Sequence, residues 1–291
     1  MRRLFNLVTN KTVLYPIDHG ITMGPIDGIE NIRTAVGTAL GEPVDGIILH
    51  KGAIVRCLDA LSVDRNIAVV MHLSASVSLS PHVSEKVLVG SVQEAMRLGC
   101  DGVSIHVNLG PQNDLRMLKD FGKVSRDCAK YGMPLIAMMY CRKEAGDELS
   151  EPHNRIAARV AMELGADIIK VNYTGSPRSF ERVVAGCDVP VIVAGGSARS
   201  TLLEFFEAIE GAMAAGASGV AVGRNVFQHR QPRILLRGLS HLIHYRMPAR
   251  QVAELVEGEQ MAALARGDQM ARLADGEHGT GAELGSPTSA V

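Results

Sequence analysis

One short pattern recurs three times along the chain and restricts its fold more than any other feature. A helix ends in Gly, one or two small or acidic residues follow, and an apolar run then closes on polar residues. Leu98-Gly99-Cys100-Asp101 leads into Gly102-Val103-Ser104-Ile105-His106, Leu164-Gly165-Ala166-Asp167 into Ile168-Ile169-Lys170, and Ala215-Gly216-Ala217-Ser218 into Gly219-Val220-Ala221-Val222-Gly223. Glycine just past the last helical turn takes the left-handed conformation that stops a helix without steric cost. The apolar runs show little alternation, as expected of parallel strands covered on both faces. Such runs occupy residues 12–17, 46–50, 68–73, 102–107, 135–139, 168–172, 191–194 and 219–222, which makes eight strands. Helical stretches at residues 114–131, 154–164 and 201–215 lie between them, so the order is β-α throughout. This alternation predicts an α/β protein, a (β/α)8 TIM barrel. A doubly wound open sheet competes, but the Gly-rich nucleotide turn after its first strand is missing.

Residues 233–245 read as the closing barrel helix and 248–273 as an extra C-terminal helix without an evident partner. One domain is therefore expected over residues 1–274, with a loose tail at 275–291, where Gly, Ser, Thr and Pro leave too little apolar surface to offset the entropy of ordering. A hydrophobic fraction of 46% with 21% charged residues suits a large buried core. The formal net charge is -1 and the basic residues are scattered, which argues against a nucleic-acid or membrane partner and for a small molecule. Asn6, Thr9, Asn10 and Lys11 interrupt the apolar start that a signal peptide would need. The five cysteines are odd in number and include no C-x-x-C pair, so a reducing, cytoplasmic setting is expected. A homo-oligomer is also expected.

In a barrel of this kind the residues just past each strand's C-terminal end converge on one mouth, where polar side chains are candidates for function. Here those positions hold Asp18 and His19, His50 and Lys51, His72 and Ser74, His106 and Asn108, Tyr140 and Arg142, Lys170 and Asn172, Gly195 to Ser197, and Gly223 with Arg224. Lys170 stands in an otherwise apolar strand, and the two-residue spacing puts Ile168, Lys170 and Asn172 on one face. Desolvation and cations such as Arg224 or Lys51 favour its free amine, the form that attacks a carbonyl; an ion pair with Asp18 is the competing reading. Val193-Ala194-Gly195-Gly196-Ser197 and Val222-Gly223-Arg224-Asn225 follow the seventh and eighth strands, where barrels bind phosphate through bare backbone N–H groups and a forked cation. Tyr140 is either a general acid/base or a phenol that caps the core with its hydroxyl in water. His50, His72 and His106 end successive strands and could together hold Zn²⁺, yet they lack the H-x-x-x-H or H-E-x-x-H spacing of such sites; no metal is expected.

As a set, several segments resemble the archaeal-type class I aldolases over about residues 5–245. They are Pro16-Ile17-Asp18-His19-Gly20 with Gly24-Pro25, His72-Leu73-Ser74-Ala75-Ser76, His106-Val107-Asn108, Ala137-Met138-Met139-Tyr140, residues 167–175 around Lys170, Ala194-Gly195-Gly196, and Gly223-Arg224-Asn225-Val226-Phe227-Gln228. The resemblance implies Lys170 as the Schiff-base lysine, Tyr140 as proton donor and acceptor, and Asp18 as a further acid/base group. It implies Gly195, Gly196, Ser197, Gly223 and Arg224 as a phosphate cradle, with His19 and Asn172 also facing substrate. The implied reaction joins a phosphorylated ketose-derived donor, dihydroxyacetone phosphate or 6-deoxy-5-ketofructose 1-phosphate, to an aldehyde such as L-aspartate semialdehyde, with no cofactor. Products of the aromatic amino-acid or aminohydroxybenzoate type follow from it. Fructose-1,6-bisphosphate aldolase is the alternative within the family, and a non-catalytic sugar-phosphate-binding barrel the alternative outside it. The chain departs from the family in having Ser197-Ala198 where Pro-Lys is usual after the double Gly, and Cys141-Arg142-Lys143 where Pro-Arg-Gly is usual after the tyrosine.

Overall fold

A computed structural model describes residues 1–64, 66–110, 114–142, 147–196 and 201–277, with the side chains of the last helix described as far as residue 263. Its strands are β1 (Thr12–Pro16), β2 (Gly46–Leu49), β3 (Ala68–His72), β4 (Ser74–Ala75), β5 (Val87–Leu88), β6 (Gly102–Leu109), β7 (Leu135–Cys141), β8 (Ile168–Val171), β9 (Val191–Ala194) and β10 (Gly219–Ala221). β4 and β5 pair antiparallel by themselves; the other eight close into a parallel barrel in the order β1-β10-β9-β8-β7-β6-β3-β2. All eight expected barrel strands are present. β6 and β7 run two residues further toward the mouth than the apolar runs suggest, because the strands stay paired through Asn108↔Tyr140 and Leu109↔Cys141.

The helices are α1 (Gly20–Met23), α2 (Ile32–Ala39), α3 (Lys51–Arg56), α4 (Leu58–Leu61), α5 (Val92–Arg97) and α6 (Asp114–Tyr131) in the first half of the chain. The second half adds α7 (Glu151–Glu163), α8 (Pro177–Val184), α9 (Leu202–Ala214), α10 (Arg224–Phe227), α11 (Pro232–His244) and α12 (Ala249–Glu277). The three punctuating glycines are left-handed as expected, with φ of 71° at Gly99, 90° at Gly165 and 94° at Gly216. The acidic residue that follows two of them has a second task. Asp101 accepts a hydrogen bond from the Val69 N–H at 2.9 Å and Asp167 one from the Leu135 N–H at 2.9 Å, each tying down the first turns of the neighbouring strand. Asp45, before β2, does the same for the Val13 N–H at 2.7 Å.

Alternation along the strands sorts apolar residues into two layers. Leu14, Ile48, Val70, Ile136, Ile168 and Ile192 fill the barrel interior, and Leu4, fully buried, closes its N-terminal end with Phe5 against it. The residues between them, such as Val13, Ile47, Val103 and Ile169, face outward under the helices, where Phe121 of α6, Phe180 of α8 and Phe206 of α9 complete the packing. The extra C-terminal helix does find a partner. Ala249, Val252, Ala253 and Val256 of α12 are buried against α9 and α11. Gly238 permits the close approach, since a Cβ there would lie 2.7 Å from Val256 Cγ2 and 3.0 Å from Phe206 Cζ. α12 extends to Glu277, three residues past the expected domain end at residue 274, and residues 278–291 lie outside the described part. No helix among the described residues is long and apolar enough to cross a membrane.

Candidate active site

The same two-residue period that fills the interior also builds the site. Counting two residues toward the mouth from Ile48, Val70, Met138 and Ile168 gives His50, His72, Tyr140 and Lys170, and Asp18 follows Pro16 in the same way. All five line one cavity of about 620 Å³ at the C-terminal ends of the strands. The expected His19, Asn172, Gly195, Gly196, Gly223 and Arg224 line it too, whereas Ser197 lies outside the described residues.

Lys170 is 6% exposed, and among the described residues no carboxylate forms an ion pair with its Nζ. The barrel ion pair with Asp18 considered above is therefore not made. Asp18 is nonetheless close enough to respond to it. Burial alone would raise the Asp18 carboxyl, but His72, His19, Lys170 and His50 together reverse this and hold it below the ordinary carboxylate range. Its nearest imidazoles stand at 3.4 Å (His19 Nδ1) and 3.7 Å (His72 Nε2). His72 receives a 2.7 Å hydrogen bond partner in the buried Ser104 hydroxyl at Nδ1, and burial, against the pull of Asp18, pushes its pKa down to about 3. Burial lowers His19 and His50 as well. The floor of the site thus combines an ionised carboxylate with neutral imidazoles. His50 and His72 meet edge to face at 5.2 Å, and among the described residues no three His, Cys, Asp or Glu side chains stand as a metal-ligand set.

Beside Lys170, Tyr140 projects into the cavity with its ring 4.9 Å from that of His106 and the Arg142 guanidinium 5.4 Å over its face. Asn108, fully buried, accepts a 2.6 Å hydrogen bond from Arg142 Nε and donates one of 2.6 Å to the Ser84 carbonyl. With its amide nitrogen spent in this way, its oxygen is the acceptor for His106 Nε2 at 2.9 Å, so that nitrogen carries the hydrogen. Lys86, Asp147 and Glu148 also line the cavity and were not singled out by sequence. Lys86 sits at the foot of the β4–β5 hairpin, and the only trace of it in the sequence is a long connection between the third strand and the next helix.

On the opposite wall, the glycines are required by space as well as by conformation. A Cβ at Gly195 would fall 2.8 Å from Val222 Cγ1 and 2.9 Å from Asn225 Oδ1, and one at Gly223 would fall 2.6 Å from both His19 Cε1 and the Pro16 carbonyl oxygen. Gly196 is left-handed, with φ of 72° and open space where a side chain would be. In α10 the first intrahelical bonds are donated by Val226 and Phe227 to the Gly223 carbonyl, so the N–H groups before them have no intrahelical partner. Arg224 extends, exposed, from the same turn. The cavity therefore holds a buried lysine with no ion-pair partner among the described residues, an ionised carboxylate, a phenol and an anion-friendly wall.

Residues 12–229 match the model of the DeoC/LacD family aldolase. The chain is 43% identical to the 2-amino-3,7-dideoxy-D-threo-hept-6-ulosonate synthase 1 of Archaeoglobus fulgidus, over 87% of this chain and 94% of that one. It is 38% identical to the 2-amino-4,5-dihydroxy-6-oxo-7-(phosphonooxy)heptanoate synthase of Streptomyces griseus, over 84% and 89%. Among solved structures, an archaeal fructose 1,6-bisphosphate aldolase with its catalytic Lys covalently bound to a carbinolamine superposes with a TM-score of 0.75 at 30% identity, covering 83% of this chain and 97% of that one. The resemblance read from the strand-end motifs holds, and the chain belongs to the DeoC/LacD family of aldolases.

Proposed function

We propose that the protein joins a phosphorylated ketose-derived donor to an aldehyde through a Schiff base on Lys170. The observation that carries this reading is the Lys170 side chain itself, buried at the cavity wall with no ion-pair partner among the described residues. The free amine adds to the donor ketone, and Tyr140, beside it, assists the loss of water from the carbinolamine. Removal of a proton from the adjacent carbon gives an enamine. Its carbon attacks the acceptor aldehyde, the new alkoxide takes a proton, and water releases the product and restores the lysine. The iminium serves as the electron sink throughout. Asp18, ionised by its surroundings, is placed to hold substrate hydroxyls or take a proton. Gly195, Gly196, Gly223 and Arg224 are the proposed seat of the donor phosphate, where bare N–H groups and a forked cation meet.

The names of the relatives support the choice of reactants. Cleaving 2-amino-4,5-dihydroxy-6-oxo-7-(phosphonooxy)heptanoate between the carbon next to its ketone and the carbon that bears the β-hydroxyl yields dihydroxyacetone phosphate and aspartate semialdehyde. 6-Deoxy-5-ketofructose 1-phosphate is the other donor that the family resemblance implies. Fructose-1,6-bisphosphate aldolase remains the second reading, since a relative so described from Thermoproteus tenax is 32% identical over 80% of this chain. Borohydride reduction in the presence of each ketose phosphate, followed by intact mass, tests the proposal. A stable adduct is expected in wild type and none in Lys170→Ala, whose turnover should be abolished while its thermal melt is retained. Catalysis by Lys170→Ala near the wild-type rate would overturn the assignment.

A further inference from the structure

Across the cavity from the glycine wall, two cations stand together with two carboxylates beside them, and the proton chemistry above uses none of the four. Arg142 follows β7 and Lys86 precedes β5, yet one fully buried side chain sets both. Asn108 binds Arg142 Nε through its oxygen and the carbonyl of Ser84, two residues before Lys86, through its nitrogen. Lys86 in turn donates to the Ser76 hydroxyl, and among the described residues it has no ion-pair partner. Burial and the charge of Arg142 bring its pKa down to about 8. Arg142 Nη1 is ion-paired with Glu148 at 3.6 Å, too far for a hydrogen bond, and Nη2 stands 3.4 Å from His106 Nε2, which carries its own hydrogen, so the outer nitrogens keep hydrogens to donate. Two cations close enough for one to depress the other, lining one cavity and hydrogen-bonded to no carboxylate among the described residues, make a receptor for an anion. The guanidinium also lies over the Tyr140 ring, which places that anion on the acceptor's side of the reacting carbons.

The neighbouring carboxylates decide which anion. A phosphate dianion at Arg142 and Lys86 would face Glu148 and Asp147, which line the same cavity and would repel it. An amino acid carries both signs on one carbon and satisfies both pairs at once. We infer that Arg142 and Lys86, positioned by Asn108, bind the carboxylate of an acceptor aldehyde with a free α-amino-acid head, and that Glu148 binds its ammonium. This rests on the Schiff-base reading of Lys170 for its chemistry but not for its binding.

The test compares three acceptors at saturating dihydroxyacetone phosphate: L-aspartate semialdehyde, succinic semialdehyde, which lacks the ammonium, and 3-aminopropanal, which lacks the carboxylate. Arg142→Gln should raise KM about tenfold or more for the two acids and leave 3-aminopropanal unchanged. Glu148→Gln should raise it for L-aspartate semialdehyde and not for succinic semialdehyde. Borohydride trapping of the donor should be unaltered in both variants, which also reports that the fold is intact. Equal changes for all three acceptors, or none, would overturn the inference. So would a wild-type preference for glyceraldehyde 3-phosphate that Arg142→Gln abolishes, since the cations would then hold a phosphate. Calorimetry with L-homoserine, the unreactive alcohol, separates the two readings. If no ketose phosphate is trapped but homoserine binds wild type and not Arg142→Gln, the lysine chemistry fails and the amino-acid site stands. If trapping succeeds and Arg142→Gln binds homoserine as tightly as wild type, the amino-acid site fails alone.

Discussion

A histidine kept neutral inside a folded protein makes that protein sensitive to acid. His72 titrates near 3 in the folded chain against 6.5 for the free side chain, so between those values the unfolded state binds the proton and the folded state does not. Stability then rises with pH across that window and falls as pH drops below about 6.5. Asp18, whose folded carboxyl is also depressed, adds loss of the same sign at the lower end. At pH 5 the His72 contribution alone is roughly 2 kcal/mol, at about 1.4 kcal/mol per pH unit per proton. Urea melts at pH 7 and pH 5 measure it, and His72→Gln should flatten the dependence. An unchanged slope in that variant would assign the sensitivity to the other buried histidines. Lys170 and His72 were both visible in the sequence, since each stands two residues past an interior apolar residue. Asn108 was visible only as one polar strand-end residue among many, because two of its bonds reach chain segments 24 and 34 residues away.

At the scale of elements, the glycine stops marked the helix ends before β6, β8 and β10, but the acidic residue after two of them was read only as punctuation. Its role as acceptor for a neighbouring strand's N–H becomes apparent once the strand order is known. Asp167→Ala removes the acceptor of the Leu135 N–H at the N-terminal end of the barrel, away from the mouth. A charged acceptor of this kind is worth about 1.5–3 kcal/mol, so the variant should unfold at lower urea while kcat stays at the wild-type value. A fall in kcat with unchanged stability would mean that the strand end communicates with the site. The β4–β5 hairpin escaped the sequence reading for a different reason. Its strands are two residues each, too short to carry a period, and only pairing between Ser74↔Leu88 and Ala75↔Val87 defines them.

For the whole molecule, the barrel's closure is what gives the cavity two separate ends. Arg224 follows β10 and Arg142 follows β7, and β9 and β8 stand between those strands in the wall. Three interstrand spacings put the two guanidinium-bearing ends roughly 14 Å apart along the sheet. That order cannot be read from either motif alone; it emerges only when eight strands close on one another. If Arg224 holds the donor phosphate, Arg224→Ala should raise KM for a phosphorylated donor by a factor that corresponds to about 1.5–3 kcal/mol. The unphosphorylated donor, with nothing for Arg224 to bind, should be poor in wild type and hardly changed in the variant. Because the ends share no side chain, the donor defect of Arg224→Ala and the acceptor defect of Arg142→Gln should add in the double variant to within about 0.5 kcal/mol. Steady-state kinetics on the four proteins measure this. Strong coupling would mean that donor and acceptor occupy one overlapping anion site, and equal weakening of phosphorylated and unphosphorylated donors by Arg224→Ala would remove the phosphate from the glycine wall altogether.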